Sequence, residues 1–169
     1  MPVPTGPEAD WGRSSTRTPS DVRRTLSTLR TETAPEATVL RGTRVLVIDG
    51  DPAVVSFLET SLSRYGCLVL TALGAEAGLE TLRAEKVDAL IFDWLLPRMP
   101  GERLIKLLKE SHPTLAFAVM SGALRSPATQ AEVRRMGAGA VFAKPFTIEL
   151  VVQWLTRTHA PNPIPAASR

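Results

Sequence analysis

The chain has 169 residues, 44% of them hydrophobic, with 20 basic against 17 acidic side chains and a net charge of +3. That is room for one ordinary domain with tails, apolar enough to bury a core. The charge is too balanced and too dispersed for a nucleic-acid surface. A single cysteine, Cys67, excludes an internal disulfide and a multi-cysteine metal site, and its simplest role is a small buried residue in a strand. No apolar run is long enough to span a bilayer, so no membrane partner is expected. The start, Met1-Pro2-Val3-Pro4-Thr5, has neither a basic n-region nor an apolar h-region, which leaves a cytoplasmic protein as the default expectation.

Residues 1–42 read as a flexible tail rich in Pro, Ser, Thr and Arg. Within it, Val22, Leu26 and Leu29 repeat at helical spacing across Ser20–Arg30, but an isolated helix this short is marginal. Residues 43–158 read as the domain and residues 159–169 as a second flexible tail.

At Arg44 the texture changes. Arg44-Val45-Leu46-Val47-Ile48 is a β-branched apolar run ending in Asp49. Asp51-Pro52 opens a helix, Asp as cap and Pro at the first position, with Val54, Val55, Leu58 and Leu62 as its apolar stripe. Tyr65-Gly66 ends that helix, and Cys67–Thr71 is a second strand. A helix over Ala75–Ala84 comes next, with Ala77, Leu79 and Leu82 expected inside.

The third strand is Ala89–Phe92, an apolar run suited to a parallel strand covered on both faces, ending in Asp93. Pro97 and Met99-Pro100-Gly101 turn the chain away. Glu102–Ser111 reads as a helix with Leu104, Leu107 and Leu108 on one face, stopped by Pro113. Leu115–Met120 is a fourth strand ending in Ser121-Gly122, and Ser126-Pro127 opens a helix over Ala128–Met136. Ala140–Ala143 is a fifth strand ending in Lys144-Pro145. Thr147 caps a last helix running to about Arg157, with Phe146 placed to staple against Val151. Strand and helix alternate five times, which predicts an α/β fold: a doubly wound parallel sheet with helices on both faces.

Four polar residues stand at strand ends: Asp49, Asp93, Ser121 and Lys144. A parallel sheet gathers them at one edge, where ligands of open α/β sheets bind. Two carboxylates favour a hard cation such as Mg²⁺. Lys144 pairs with an anionic group on Asp93, and Ser121 donates a hydrogen bond to it. There is no Ser-His-Asp arrangement, since His112 and His159 are read as solvated residues at a helix end and in the tail. No glycine-rich phosphate loop comes after the first strand.

Residues 44–157 resemble a response-regulator receiver domain of two-component signalling. The motifs that carry the resemblance are Val47-Ile48-Asp49, Phe92-Asp93-Trp94-Leu95-Leu96-Pro97, Met120-Ser121-Gly122 and Val141-Phe142-Ala143-Lys144-Pro145-Phe146. The resemblance implies a flavodoxin-like five-stranded sheet of order 2-1-3-4-5. It implies that Asp93 accepts a phosphoryl group and that Asp49, Asp93 and the backbone carbonyl of Leu95 hold Mg²⁺. Ser121 and Lys144 would engage the phosphoryl group, with a cis Lys144-Pro145 bond. A sensor histidine kinase or phosphotransfer protein would be the donor.

The chain departs from that pattern in three places. Gly50 stands where the family carries a second acid; Asp51 is a possible substitute, with helix capping the favoured role. Mg²⁺ is therefore expected to bind weakly. Val141 replaces the usual aromatic residue three before the lysine, with Phe142 facing the opposite side. Leu95 and Ala123 are apolar where the family orients the water of dephosphorylation. The functional expectation is a stand-alone phospho-accepting receiver that is no enzyme beyond its own phosphotransfer. It would signal to a downstream target protein through the fourth helix, fifth strand and fifth helix, without nucleic acid. The alternative is a degenerate receiver that binds partners without phosphorylation. An unrelated small α/β enzyme lacks the nucleophile or phosphate loop it would need.

Overall fold

The computed structural model describes residues 40–159. The Ser20–Arg30 segment lies outside the described residues. The elements in chain order are β1 (Arg44–Ile48), α1 (Pro52–Ser63), β2 (Leu68–Ala72), α2 (Ala75–Ala84), β3 (Ala89–Asp93), β4 (Leu95–Leu96), β5 (Met99–Pro100), α3 (Gly101–Ser111), β6 (Ala116–Ser121), α4 (Pro127–Arg135), β7 (Ala140–Ala143) and α5 (Ile148–His159). Five strands make one parallel sheet of order β2-β1-β3-β6-β7, which is 2-1-3-4-5 when only those five are counted.

Side chains alternate strictly across this sheet, as the pleat requires. Leu46, Ile48, Leu90, Phe92, Phe117, Val119 and Val141 pack on one face with Leu82 of α2, Leu104, Ile105 and Leu108 of α3 and Val133 of α4. Val45, Val47, Ala89, Ile91, Ala118, Met120 and Phe142 pack on the other with Val55, Leu58 and Leu62 of α1 and Val151, Trp154 and Leu155 of α5. The sheet is thus covered on both sides, which is why β3 is an unbroken buried run from Ala89 to Asp93. Val141 and Phe142 fall on opposite faces as the sequence predicted.

Local chemistry sets the helix ends. Asp51 Oδ1 accepts the Ala53 N–H at 2.8 Å, and Pro52 occupies the first turn of α1. Ser126 Oγ accepts the Thr129 N–H at 3.1 Å at the start of α4. Gly66 and Gly137 come after α1 and α4 at φ 87° and 110°, values a side chain would resist. Phe146 packs into the same cluster as Val151.

Several expectations need correcting. Ala77 of α2 is exposed; Ala75, Gly78 and Leu82 face inward, because Gly78 lets the helix close onto Ile48. In α3 the buried positions are Leu104, Ile105 and Leu108, with Leu107 half-buried. Leu40, placed with the residues before 43, is 1% exposed and belongs to the core. His159 is the last residue of α5, not part of a tail, and its Nε2 lies 3.0 Å from the Asp88 carbonyl. The segment after Asp93 is not a simple turn. Leu95 pairs with Pro100 and Leu96 with Met99, forming a two-stranded ribbon whose tip is Pro97-Arg98, with Arg98 at φ 62°.

Candidate functional site

The parallel register aligns the carboxyl ends of the strands. Ile48 lies beside Phe92, Asp93 beside Met120 and Ser121 beside Ala143. Asp49, Asp93, Ser121 and Lys144 therefore meet at one edge of the sheet.

Lys144 Nζ donates to Asp49 Oδ2 at 2.6 Å and lies 3.1 Å from Asp93 Oδ1. The other oxygen of each acid takes a backbone donor: Asp51 N–H to Asp49 Oδ1 at 2.9 Å and Leu95 N–H to Asp93 Oδ2 at 3.2 Å. Asp49 and Asp93 are 3% and 9% exposed, so charge this far from water requires partners, and the shared ammonium with two amides supplies them. Partial burial works to lower the Lys144 pKa. The hydrogen bonds and charges of Asp49 and Asp93 together outweigh it and hold the ammonium above its ordinary range.

Ser121 is fully buried. Its hydroxyl accepts the Ala123 N–H at 3.0 Å and its carbonyl accepts the Lys144 N–H at 2.9 Å. The hydroxyl is thus tied to its own loop, while its backbone anchors the lysine. Lys144-Pro145 is cis, as the resemblance implied.

Three further positions border the site. Asp51 is exposed and caps α1, so the capping role prevails for its Oδ1. Gly50 packs beneath the ribbon tip, where a β-carbon would lie 3.3 Å from Pro97 Cδ. Leu95 presents its side chain to solvent, 63% exposed, beside the acid it follows. His112 caps the end of α3 and His159 contacts Asp88, so both imidazoles belong to the opposite edge of the sheet.

The donor set fits a hard divalent cation. Asp49 and Asp93 both reach a single ammonium, which places two carboxylates around a common point, and each acid retains acceptor capacity beyond the bonds just described. Among the described residues no cluster of three or more acidic, His or Cys side chains is present. Asp49, Asp93 and a backbone carbonyl of the ribbon are the groups that would hold Mg²⁺, with water completing its shell.

Residues 45–156 match the response regulator receiver domain family. The chain belongs to it. Receivers of this family serve two-component systems, where phosphorylation and signal transduction are the general theme, and Mg²⁺ commonly supports the phosphorylation. The receiver is 31% identical over 113 residues to the DNA-binding transcriptional regulator NtrC of Proteus hauseri, covering 67% of this chain and 24% of that protein. It is 32% identical over 106 residues to the response regulator MprA of Mycobacterium ulcerans, covering 63% of this chain and 45% of MprA. The match therefore spans less than half the length of these curated relatives. Among solved structures, a Francisella response regulator receiver domain superposes with a TM-score of 0.64 at 26% identity, over 69% of this chain and 98% of that one. A Burkholderia pseudomallei response regulator, solved with a phosphorylated aspartic acid, a calcium ion and citrate, gives 0.61 at 29% identity, over 67% and 66%.

Sequence reasoning missed the ribbon. Each of its strands has two residues, too short for any periodicity to register, and its signal lay only in the paired prolines around Arg98.

Proposed function

We propose that this receiver takes a phosphoryl group on Asp93 and passes the signal by protein contact. The observation that carries the proposal is the Lys144 ammonium held between Asp49 and Asp93. It marks the one point among the described residues where a nearly buried carboxylate faces a fixed cation and a second acid. A carboxylate oxygen of Asp93 attacks the phosphorus of a phosphohistidine or small phosphodonor. The new P–O bond forms as the P–N or P–O bond to the donor breaks. The electron pair leaves with the donor, an imidazole nitrogen that takes up a proton or a carboxylate such as acetate that leaves as its anion, and Asp93 becomes an acyl phosphate. Lys144 balances the charge of the phosphoryl oxygens, and Ser121 donates its hydroxyl proton to one of them while still accepting from Ala123. Mg²⁺, when bound, would supply further charge neutralisation for the incoming phosphoryl group. The Burkholderia relative solved with a phosphorylated aspartic acid and a calcium ion supports both assignments.

The donor is a sensor histidine kinase or a phosphotransfer protein, and the recipient is a downstream protein. The setting is the cytoplasm. Among the described residues no helix is long and apolar enough to cross a membrane. The chain catalyses nothing beyond its own phosphotransfer and dephosphorylation, and contacts no nucleic acid. Leu95 and Ala123 are both exposed beside the site, and their apolar side chains offer an attacking water no hydrogen bond, so the acyl phosphate is expected to be long-lived. A lifetime of seconds in the purified protein would contradict this.

The test is incubation of the full chain with Mg²⁺ and acetyl phosphate, read by intact mass, with Asp93→Asn as control. An adduct on the wild type alone supports the proposal. No adduct on either favours a second reading, a phosphorylation-independent interaction module, for which Gly50 and Val141 are the specific observations.

A further inference from the structure

The residue between Asp93 and Leu95, Trp94, is fastened three ways. Its N–H donates to the Met120 carbonyl at 2.8 Å, on the neighbouring strand. Its carbonyl accepts the Gly101 N–H at 3.2 Å, closing the ribbon of residues 95–100 at its base. Its indole lies flat on the Cα of Gly101, so that a methyl group at 101 would stand 2.8 Å from both Cδ2 and Cζ3 of the ring. The first two fastenings are backbone and available to any residue. The third belongs to this pair alone: a broad ring at 94 and no side chain at 101.

The ribbon is braced at its tip as well. Pro97 rests against Gly50, and Arg98 reaches Glu76 of α2 at 3.1 Å. Arg98 holds a left-handed backbone that a non-glycine residue adopts at a cost of about 1 kcal/mol. Such a conformation persists only where the surroundings over-determine it. The tip contacts are exposed and weak, Arg98 being 81% and Glu76 65% solvent-accessible at the side chain. Buried Leu96 and half-buried Met99 fix the ribbon to the core along its length, and at its base the half-buried Trp94 ring seats on Gly101.

What the base controls is Asp93. The Leu95 N–H, first residue of the ribbon, donates to Asp93 Oδ2 and leaves Oδ1 to Lys144. A carboxylate pinned at both oxygens has a fixed rotation about its Cβ–Cγ bond. If Leu95 shifts, that rotation is released. We propose that Trp94 is a positioning residue: its ring, seated on Gly101, holds the Leu95 amide against Asp93 and so fixes the orientation of the accepting carboxylate. The consequence for phosphoryl transfer rests on the reading of Asp93 as acceptor; the ordering of Leu95 does not.

The test uses the full chain carrying Trp94→Ala, Trp94→Phe, Gly101→Ala or Gly101→Ala with Trp94→Ala. One readout is hydrogen exchange of the Leu95 amide without any phosphodonor. The other is the rate of Asp93 labelling by acetyl phosphate at saturating Mg²⁺. Trp94→Ala is expected to speed Leu95 exchange and to slow labelling by up to about 100-fold, the scale on which a misplacement of about 1 Å in a reacting group acts. Trp94→Phe retains both, since a flat ring still covers Gly101. Gly101→Ala behaves like Trp94→Ala by displacing the ring. The double variant removes the clash and unfolds as cooperatively as wild type, yet stays slow, which separates positioning from folding. Leu95 protection unchanged in Trp94→Ala overturns the proposal, as does normal labelling in Gly101→Ala. A wild type that exchanges Leu95 slowly but never labels overturns the acceptor reading instead, and the Leu95 comparison across variants still decides the role of Trp94.

Discussion

Gly50→Asp restores the acid that the family carries beside Asp49, and the structure gives both the sign and the scale of the effect. A β-carbon at 50 would sit 3.3 Å from Pro97 Cδ, so the ribbon tip must yield by a few tenths of an ångström. That strain, at an exposed loop, falls at the low end of overpacking costs, about 1 kcal/mol. The new carboxylate also adds a second negative charge beside Asp49, with Lys144 already shared between two acids. Like charges about 4 Å apart repel by roughly 1 kcal/mol with the screening of bulk water and roughly 4 kcal/mol with that of a protein surface. In chelator the variant is thus expected to be less stable than wild type by about 2–5 kcal/mol. With Mg²⁺ the sign reverses, because the same charge faces a divalent cation. A net gain of about 1.4–2.7 kcal/mol in binding corresponds to a 10- to 100-fold tighter dissociation constant, and that gain returns as folding stability through mass action. Isothermal calorimetry of Mg²⁺ binding and urea unfolding with and without Mg²⁺ measure both halves. A dissociation constant within twofold of wild type would refute the argument that the missing acid is what weakens the site.

Other outcomes rest on single contacts. Gly78→Ala puts a methyl group 2.8 Å from Ile48 Cγ1, so the usual helix gain of about 1 kcal/mol from Gly to Ala is expected to turn into a loss of about 1–3 kcal/mol in urea unfolding, partly recovered by Ile48→Val. Lys144 has its folded-state pKa raised above the ordinary 10.5, so its contribution to stability is complete below that value and is lost as pH rises through the folded pKa. The stability difference between wild type and Lys144→Met should accordingly shrink only at strongly alkaline pH; a difference that vanishes near neutrality would contradict the pairing. Burial pushes the Cys67 thiol up to about 11, so its alkylation near neutral pH should track global unfolding, and rapid labelling of the folded protein would show the site to be open.

Much of this was legible in the sequence because each signal was local and chemically unambiguous. β1, β3, β6 and β7 each end an apolar run in a polar residue, and a parallel sheet leaves those residues no other place to meet. Asp51-Pro52 and Ser126-Pro127 declared their helix starts by cap and first-turn chemistry, and both caps are present. The errors came where packing overrides pattern. Gly78 carries no apolar side chain, so hydrophobic spacing pointed to Ala77, yet the absent side chain is what lets α2 approach Ile48. Ile105 and Leu107 are equally apolar, and it is Ile105 that joins Gly101, Leu104 and Leu108 on the buried face at i, i+3, i+4 and i+7. Leu40 and His159 sat next to tail-like composition, and their contacts are with residues far along the chain. The 2-1-3-4-5 order came with the family resemblance, since alternation of strand and helix specifies crossovers and not which strand lies central.

The two rims of the sheet are built unlike each other. At the amino rim the Asp88 N–H donates to the Arg44 carbonyl and the Arg44 N–H to the Asp88 carboxylate, the Arg44 guanidinium binds Glu85 and the Lys86 carbonyl, and His159 reaches the Asp88 carbonyl from the last turn of α5. At the carboxyl rim the Asp49 N–H bonds the Ala72 carbonyl, the Trp94 N–H the Met120 carbonyl and the Lys144 N–H the Ser121 carbonyl, and one ammonium links Asp49 to Asp93. The two rims thus differ in what loosens them: neutralising Lys144 removes two contacts from the carboxyl rim and none from the amino rim.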